Sequence, residues 1–284
     1  MILACSGATP YSAGTMPIDQ VLPPATPVAP ALRKSRLARI HKKAWWFAYD
    51  AKQAFYQILR VDLVRLFVTA VRYMYYVSLR RRLRTLDPAT GDIGHNTVFH
   101  NKLQMGKMKH LGGNRSGLLA HPLAAIHVSR STPMLCIGPR SEGELLNFMG
   151  MGFRNVRGLD LISYSPWIDL GDMHAMPYAD NAFGIVTMGW VLAYSHSPAK
   201  AALEAVRVTR NGGLIAVGVE YRVETAAELA ITGGYDVCDI KRLESVAEIL
   251  KLFEPHVDRV FFTHDVPSPP SGKWQLLVIF SVKK

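Results

Sequence analysis

Three cysteines in 284 residues, no glutamate before position 116 and no long uncharged apolar run are the main absences in this chain. Cys5, Cys136 and Cys238 are far apart, so neither a disulfide framework nor a paired-cysteine metal or redox site is expected, and a reducing compartment fits. The ten histidines contain no HxxxH or HExxH spacing, which leaves a zinc site without support. There is no GxxxxGK[ST] phosphate loop and no GxSxG nucleophile elbow. No positive segment precedes the short apolar start, so a secretory leader is not expected. Asp62, Arg65 and Arg72 interrupt the apolar stretch between Trp45 and Leu79, which argues against a spanning helix there.

What is present divides the chain. With 49% hydrophobic and 19% charged residues, a sizeable core can be buried. Residues 1–31 hold six prolines and a single charge, Asp19, and read as a disordered tail. Residues 1–115 carry a balance of +13, whereas residues 116–284 carry −2, so the whole positive excess is N-terminal. That asymmetry points to an anionic contact for the first part and an ordinary globular domain for the second.

Residues 32–86 read as a basic amphipathic helical region. Asp62, Arg65, Thr69, Arg72 and Tyr76 recur at steps of three and four along one face, with Leu63, Val64, Phe67, Val68, Val71 and Met74 on the other. The expectation is a cap that packs its apolar face on the globular domain and leaves its arginines in solvent. The competing reading is an interfacial helix, with Trp and Tyr at headgroup depth and the flanking Lys/Arg clusters of residues 33–84 drawn to anionic lipid. Nucleic acid is a weaker third partner, since no binding motif accompanies the basic residues. Residues 87–129 form a connector or cap.

From residue 130 onward strands and helices alternate. Strands are expected at 134–137, 156–162, 167–170, 183–190, 214–219, 257–263 and 275–282, and helices at 142–151, 198–209 and 243–253. Alternation implies a mostly parallel sheet covered on both faces, and the final strand pair suggests an antiparallel hairpin. Ligands of such sheets bind beyond the strand C-termini where strand order reverses, which draws attention to Gly138 to Gly143, Asp160, Asp172, the 188–196 segment and Glu220.

The run MLCIGPRSEGELL, then VRGLDLI, IDLGDMHAMPYADNAFGIVTMGWVLAY and ALEAVRVTRNGGLIAVGVE, resembles the class I S-adenosylmethionine-dependent methyltransferases over about residues 130–284. The resemblance implies an α/β, Rossmann-like, seven-stranded sheet and S-adenosyl-L-methionine as cofactor. It implies that Gly138 allows close approach of the ligand, that Asp160 accepts from two ribose hydroxyls, that Asp172 accepts from the adenine amino group and that Met173 lies against the ring. Arg140, Glu142, Gly143 and Met188 complete the expected cofactor-binding set. Arg140 either pairs with Glu142 or Glu144 or holds the methionine carboxylate. The chain departs from the family where Cys136 replaces an acidic residue, where Arg140 and Glu142 replace glycines, and where Gly184 replaces an aspartate. The turn after the first strand has no GxGxxG and carries two carboxylates, which would repel a pyrophosphate but tolerate a sulfonium, so a dehydrogenase falls behind.

Methyl transfer requires positioning and exclusion of water, and a hydroxyl acceptor also needs a base. His196, Tyr194 and Glu220 are the candidates, with His174 expected to order its loop. The expected function is methyl transfer to a small-molecule or glycan acceptor, at a hydroxyl oxygen, by a cytoplasmic protein that the interfacial reading would place at a membrane. The alternatives are a non-catalytic scaffold of the same fold and a nucleic-acid methyltransferase.

Overall fold

A computed structural model of the protein describes residues 56–86, 101–224, 243–269 and 272–284, and the separate positions 45, 47, 54, 98, 99 and 228. The proline-rich tail, the basic run 33–43 and residues 87–97 of the connector lie outside the described residues.

Seven strands form one sheet: β2 (Met134–Ile137), β3 (Val156–Asp160), β5 (Ile168–Leu170), β6 (Phe183–Gly189), β7 (Thr209–Arg222), β8 (Val257–His264) and β9 (Lys273–Val282). Their spatial order is β5-β3-β2-β6-β7-β9-β8. β5, β3, β2, β6 and β7 run parallel, and β9 inserts antiparallel between β7 and β8. The chain moves outward from β2 to one side through β3 and β5, then to the other through β6, so the order reverses beside β2. That reversal opens the crevice in which such sheets hold ligands.

Alternation along the strands supplies two cores. Leu135, Ile137, Val186, Met188, Ile215 and Val217 face α5 (Pro198–Val208) and α6 (Val246–Lys251). Met134, Cys136, Ile185, Leu214 and Ala216 face α3 (Gly117–Ala125) and α4 (Glu142–Gly150). Both faces of the parallel strands are therefore apolar, as helix cover on each side demands. Cys136 belongs to this packing, and burial pushes its thiol up to about 12, so it is protonated and inert.

Several boundaries differ from the sequence reading for local reasons. The second strand stops at Asp160, because its carboxylate Oδ1 accepts the Ile162 N–H at 2.9 Å and turns the chain out of the ladder. Asn211-Gly212-Gly213 is not a turn before the strand but lies within β7, whose pairing with β6 shifts register between Phe183 and Ile185 while Gly212 adopts φ +71°. Gly184 stands where a Cβ would come within 2.4 Å of Thr132 Cγ2 and 2.8 Å of Arg210, so the close approach of the 130s loop accounts for the missing aspartate.

The N-terminal helix overturns the expected orientation. α1 (Asp62–Tyr73) continues as a π-helical stretch, Met74–Leu79. Its polar side faces inward: Arg65 is 2% exposed and Thr69 0%. Arg65 donates to the Gly112 carbonyl (2.7 Å), the Leu59 carbonyl (3.0 Å) and the Asn114 side chain (2.9 Å). Those backbone acceptors outcompete water for the guanidinium, and Leu63, Phe67, Val71 and Met74 are turned out while Val68 packs on the core. Downstream, β1 (Arg84–Thr85) pairs antiparallel with β4 (Ile162–Ser163), and Leu86 N–H donates to Leu161 O at 2.8 Å, which brings this region next to Asp160.

Candidate active site

Gly138 ends β2 at φ +72°, a conformation glycine adopts without strain. The space its missing Cβ leaves is taken by Val191, whose Cγ1 stands 2.0 Å from where that atom would be. One strand over, Asp160 is buried at the tip of β3. Burial pushes its carboxyl up to about 6, against the pull of the Ile162 amide and the Arg140 charge. Glu144, in the first turn of α4, is pushed up to about 7 by burial, with Arg140 opposing and Asp160 adding to the shift. Two acids thus lie beside one guanidinium. Arg140 Nη1 contacts His110 Nδ1 at 3.0 Å, and its Nε is a buried N–H without an acceptor. It forms no ion pair with Glu142 or Glu144, contrary to the structural pairing weighed from sequence.

Glu142 and Gly143 are taken up by the N-terminal region rather than turned to a ligand. Glu142 is fully buried and accepts a bidentate pair from Arg72, Nε at 2.6 Å and Nη2 at 2.8 Å. Ser165 Oγ donates to the same carboxylate, while the Glu142 N–H donates to Tyr164 Oη at 2.9 Å. The Arg72 guanidinium also stacks 3.6 Å over the Trp167 ring. Gly143 lies under the Leu111 carbonyl, which would be 1.9 Å from an added Cβ. Met188 is fully enclosed in the core. The sequence offered a sign of this in the polar face of α1, which was assigned to solvent.

Asp172 follows β5. Its Oδ1 accepts from the His174 backbone N–H (2.9 Å) and from His174 Nδ1 (2.6 Å), and this bonding, ahead of burial, holds its carboxyl below the usual range. A carboxylate can only accept, so His174 Nδ1 donates to it, and the other ring nitrogen, Nε2, is hydrogen-bonded with Ser195 Oγ at 2.6 Å. This chain ties the β5 loop to the segment after β6, and Ser195 is too enclosed to serve as a nucleophile. Arg207 on α5 braces the same loop, donating to the Met176 and Tyr178 carbonyls at 3.0 and 2.8 Å, while Glu204 accepts the Met176 N–H at 2.8 Å. Met173 packs against the adjoining core.

The proposed bases fall apart in quality. Glu220 is pushed up by burial, but Lys273 (2.9 Å), Arg222 (2.6 Å) and Arg115 (3.0 Å) outweigh this and hold its carboxyl below the ordinary value, which makes it a poor proton acceptor. Tyr194 lies on an exposed 3-10 turn. His196 is exposed and stacked 3.9 Å from the His174 ring, and desolvation together with His174 lowers its pKa, so it is neutral and able to take a proton. Trp190 is buried at φ +60° with Nε1 donating to Gln275 at 2.6 Å, and Arg115 lies 4.3 Å over its ring.

A β3-tip acid, a β5-loop acid and a glycine at the β2 tip, arranged around a strand reversal, decide the architecture. The fold is that of the class I methyltransferases. The methyltransferase-domain family matches residues 146–217. Demethylmenaquinone methyltransferase from Renibacterium salmoninarum is 36% identical over 72 residues, which are 25% of this chain and 27% of that protein. The chain therefore spans about a quarter of the length of this curated relative. Among solved structures, the [4+2]-cyclase SpnF aligns with 71% of this chain and 100% of its own at 14% identity and a TM-score of 0.50. An S-adenosylmethionine-dependent methyltransferase from Thermotoga maritima aligns with 68% and 99% at 16% identity and a TM-score of 0.42.

S-adenosylmethionine is the methyl donor that this family implies. The residues fit it on two counts: Asp160 is a buried carboxylate at the β3 tip, and Arg140 Nε is a buried N–H short of an acceptor. No group of three or more His, Cys, Asp or Glu suited to a metal occurs among the described residues.

Because Asp160 and Glu144 titrate above their unfolded values near 4, the folded protein holds those protons more tightly than the unfolded chain. Their contribution to stability is fully present below about pH 4 and is lost as pH rises through 6 and 7. The thermal midpoint of the ligand-free protein is expected to fall over that window, and Glu144→Gln should flatten the fall. A midpoint slope identical in wild type and variant would rule this assignment out.

Proposed function

We propose that the chain transfers a methyl group from S-adenosylmethionine to a small-molecule acceptor, at a hydroxyl oxygen. The observation that carries this reading is Asp160, a buried carboxylate at the strand reversal with Oδ1 held by Ile162 N–H and its pKa raised by burial. Ribose hydroxyls would add donors to it and favour its ionised form.

When bound, S-adenosylmethionine supplies a methyl group on a positively charged sulfur. Asp160 orients the ribose, Asp172 offers the adenine amino group the oxygen that His174 does not use, and Arg140 Nε is the donor for the methionine carboxylate. Glu144, beside Asp160, favours the cationic end of the ligand. His196, neutral and at the rim, is the group suited to accept the acceptor's proton. The matched relative is named for demethylmenaquinone, which favours a small molecule over a glycan.

One observation favours a non-catalytic scaffold instead: Val191 occupies the space above Gly138, and the N-terminal region covers Glu142 and Gly143. Calorimetry with S-adenosylhomocysteine separates the readings in two steps. Binding is expected; its absence in a folded protein would remove the methyltransferase reading. Binding without turnover over a broad panel of hydroxyl acceptors would leave the scaffold.

A further inference from the structure

We infer that α1 is a docking surface for an anionic lipid bilayer, laid parallel to the membrane with its apolar stripe toward the acyl chains. The helix is amphipathic but mounted with its apolar side out. Leu63 is 77% exposed, Phe67 70% and Met74 62%, with Val71 between them also exposed, and these positions share one side of the helix. The opposite side holds Arg65, Thr69 and Arg72, all engaged with the protein. Ile58 and Val61, just before the helix, and Tyr75 and Leu79, in the π-helical stretch after it, are exposed as well.

An isolated apolar side chain on a surface is ordinary, but a continuous stripe of this length on one helix marks a contact site. The inward polar contacts are what make the stripe permanent. Turning α1 over would leave Glu142 buried without Arg72 and strip the Gly112 and Leu59 carbonyls of Arg65. The helix is therefore held rigidly in the orientation that presents the stripe.

Charge selects the occupant. Arg80, Arg81, Arg82 and Arg84 are all exposed directly after the stripe. A second copy docked through this face would bring two such arginine clusters together, whereas an anionic leaflet neutralises them. Each basic residue near an anionic surface tightens binding about fivefold. Aromatic rings suited to headgroup depth adjoin the stripe: Tyr75 is exposed, with Arg80 6.0 Å from its centroid. No helix among the described residues is long and apolar enough to cross a membrane, so the contact is interfacial.

The test is flotation of the full chain with vesicles of mixed phosphatidylglycerol and phosphatidylcholine, beside vesicles of phosphatidylcholine alone. The protein is expected to float with the mixed vesicles and to stay behind with the neutral ones. Leu63→Glu combined with Phe67→Glu should weaken binding about tenfold or more while leaving the melting temperature unchanged, since both side chains are solvent-facing. Arg80→Gln with Arg82→Gln should reduce binding and its salt sensitivity together. Unchanged flotation of the Leu63→Glu/Phe67→Glu variant would overturn the inference. So would a concentration-dependent dimer, seen by sedimentation without vesicles, that the same variant dissolves, because the face would then be a contact between copies. Neither result depends on cofactor binding, so this inference and the methyltransferase reading fail separately.

Discussion

Asp160→Ala is expected to weaken S-adenosylhomocysteine binding by about 100-fold or more, the loss that follows from removing a charged acceptor of two hydroxyl hydrogen bonds. Asp160→Asn keeps one acceptor oxygen and should lose about tenfold. The same alanine variant should melt within a few degrees of wild type in the absence of ligand, because the lost acceptor of the Ile162 N–H is offset. The carboxyl that it removes is one that burial has already pushed up to about 6, so the fold gives up a charge that it solvates poorly. Affinity lost while stability is kept is the signature of a ligand-directed acid. An affinity unchanged in calorimetry would show that Asp160 serves only its own turn through Ile162.

Arg72→Ala is expected to have the opposite signature, a large loss of stability. Glu142 has no exposed side-chain surface, and its charge is balanced by a guanidinium reaching it from α1. Removing that partner leaves a buried carboxylate with Ser165 as its remaining side-chain donor, a change that costs about 3–5 kcal/mol. For a chain of this size the midpoint should drop by about 6–20 °C in a thermal melt. Arg72→Lys should not restore it, because an ammonium can neither make the bidentate pair nor stack on Trp167. Adding Glu142→Gln to the alanine variant should recover much of the loss, since the stranded charge is then gone. A double variant no more stable than Arg72→Ala would mean that packing on Trp167, and not the ion pair, is what holds α1.

The two variants probe the acid at the β3 tip and the anchor of the loop after β2, and they separate a group held for a ligand from one held for the fold. Ser141 Oγ donates to the His110 carbonyl, Gly143 abuts Leu111, and Glu142 binds Arg72. The N-terminal region thus substitutes for the additional glycines of related loops, holding the turn from outside where a tighter backbone would hold it from within. Arg140 and Glu144 are the loop's side chains left near Asp160.

Much of the sheet could be read from the chain alone. Met134–Ile137 and Phe183–Gly189 are short apolar runs closed by glycine or a turn, and local composition suffices to make them buried strands. Asp160 and Asp172 are legible near strand tips because each comes at or just after the end of an expected strand. The strand ends were less legible. Asp160 Oδ1 bonding to Ile162 N–H is a side-chain event that hydropathy does not register, and the register shift opposite Gly212 depends on which strand lies alongside. Glu220 reads as a candidate base, but its three cations come from β7 itself, from β9 and from the segment before α3.

Composition and periodicity by themselves determined that this protein has a parallel α/β domain preceded by a basic amphipathic helix, since both follow from repeats of two and of about 3.6 residues along the chain. Only the tertiary structure decided which side of that helix is inside. Periodicity separates apolar from polar positions, but it does not say which set has partners waiting on the neighbouring surface. Here the surface offered a buried carboxylate and two backbone carbonyls, and electrostatic demand in a poorly solvating interior prevailed over the burial of leucine and phenylalanine.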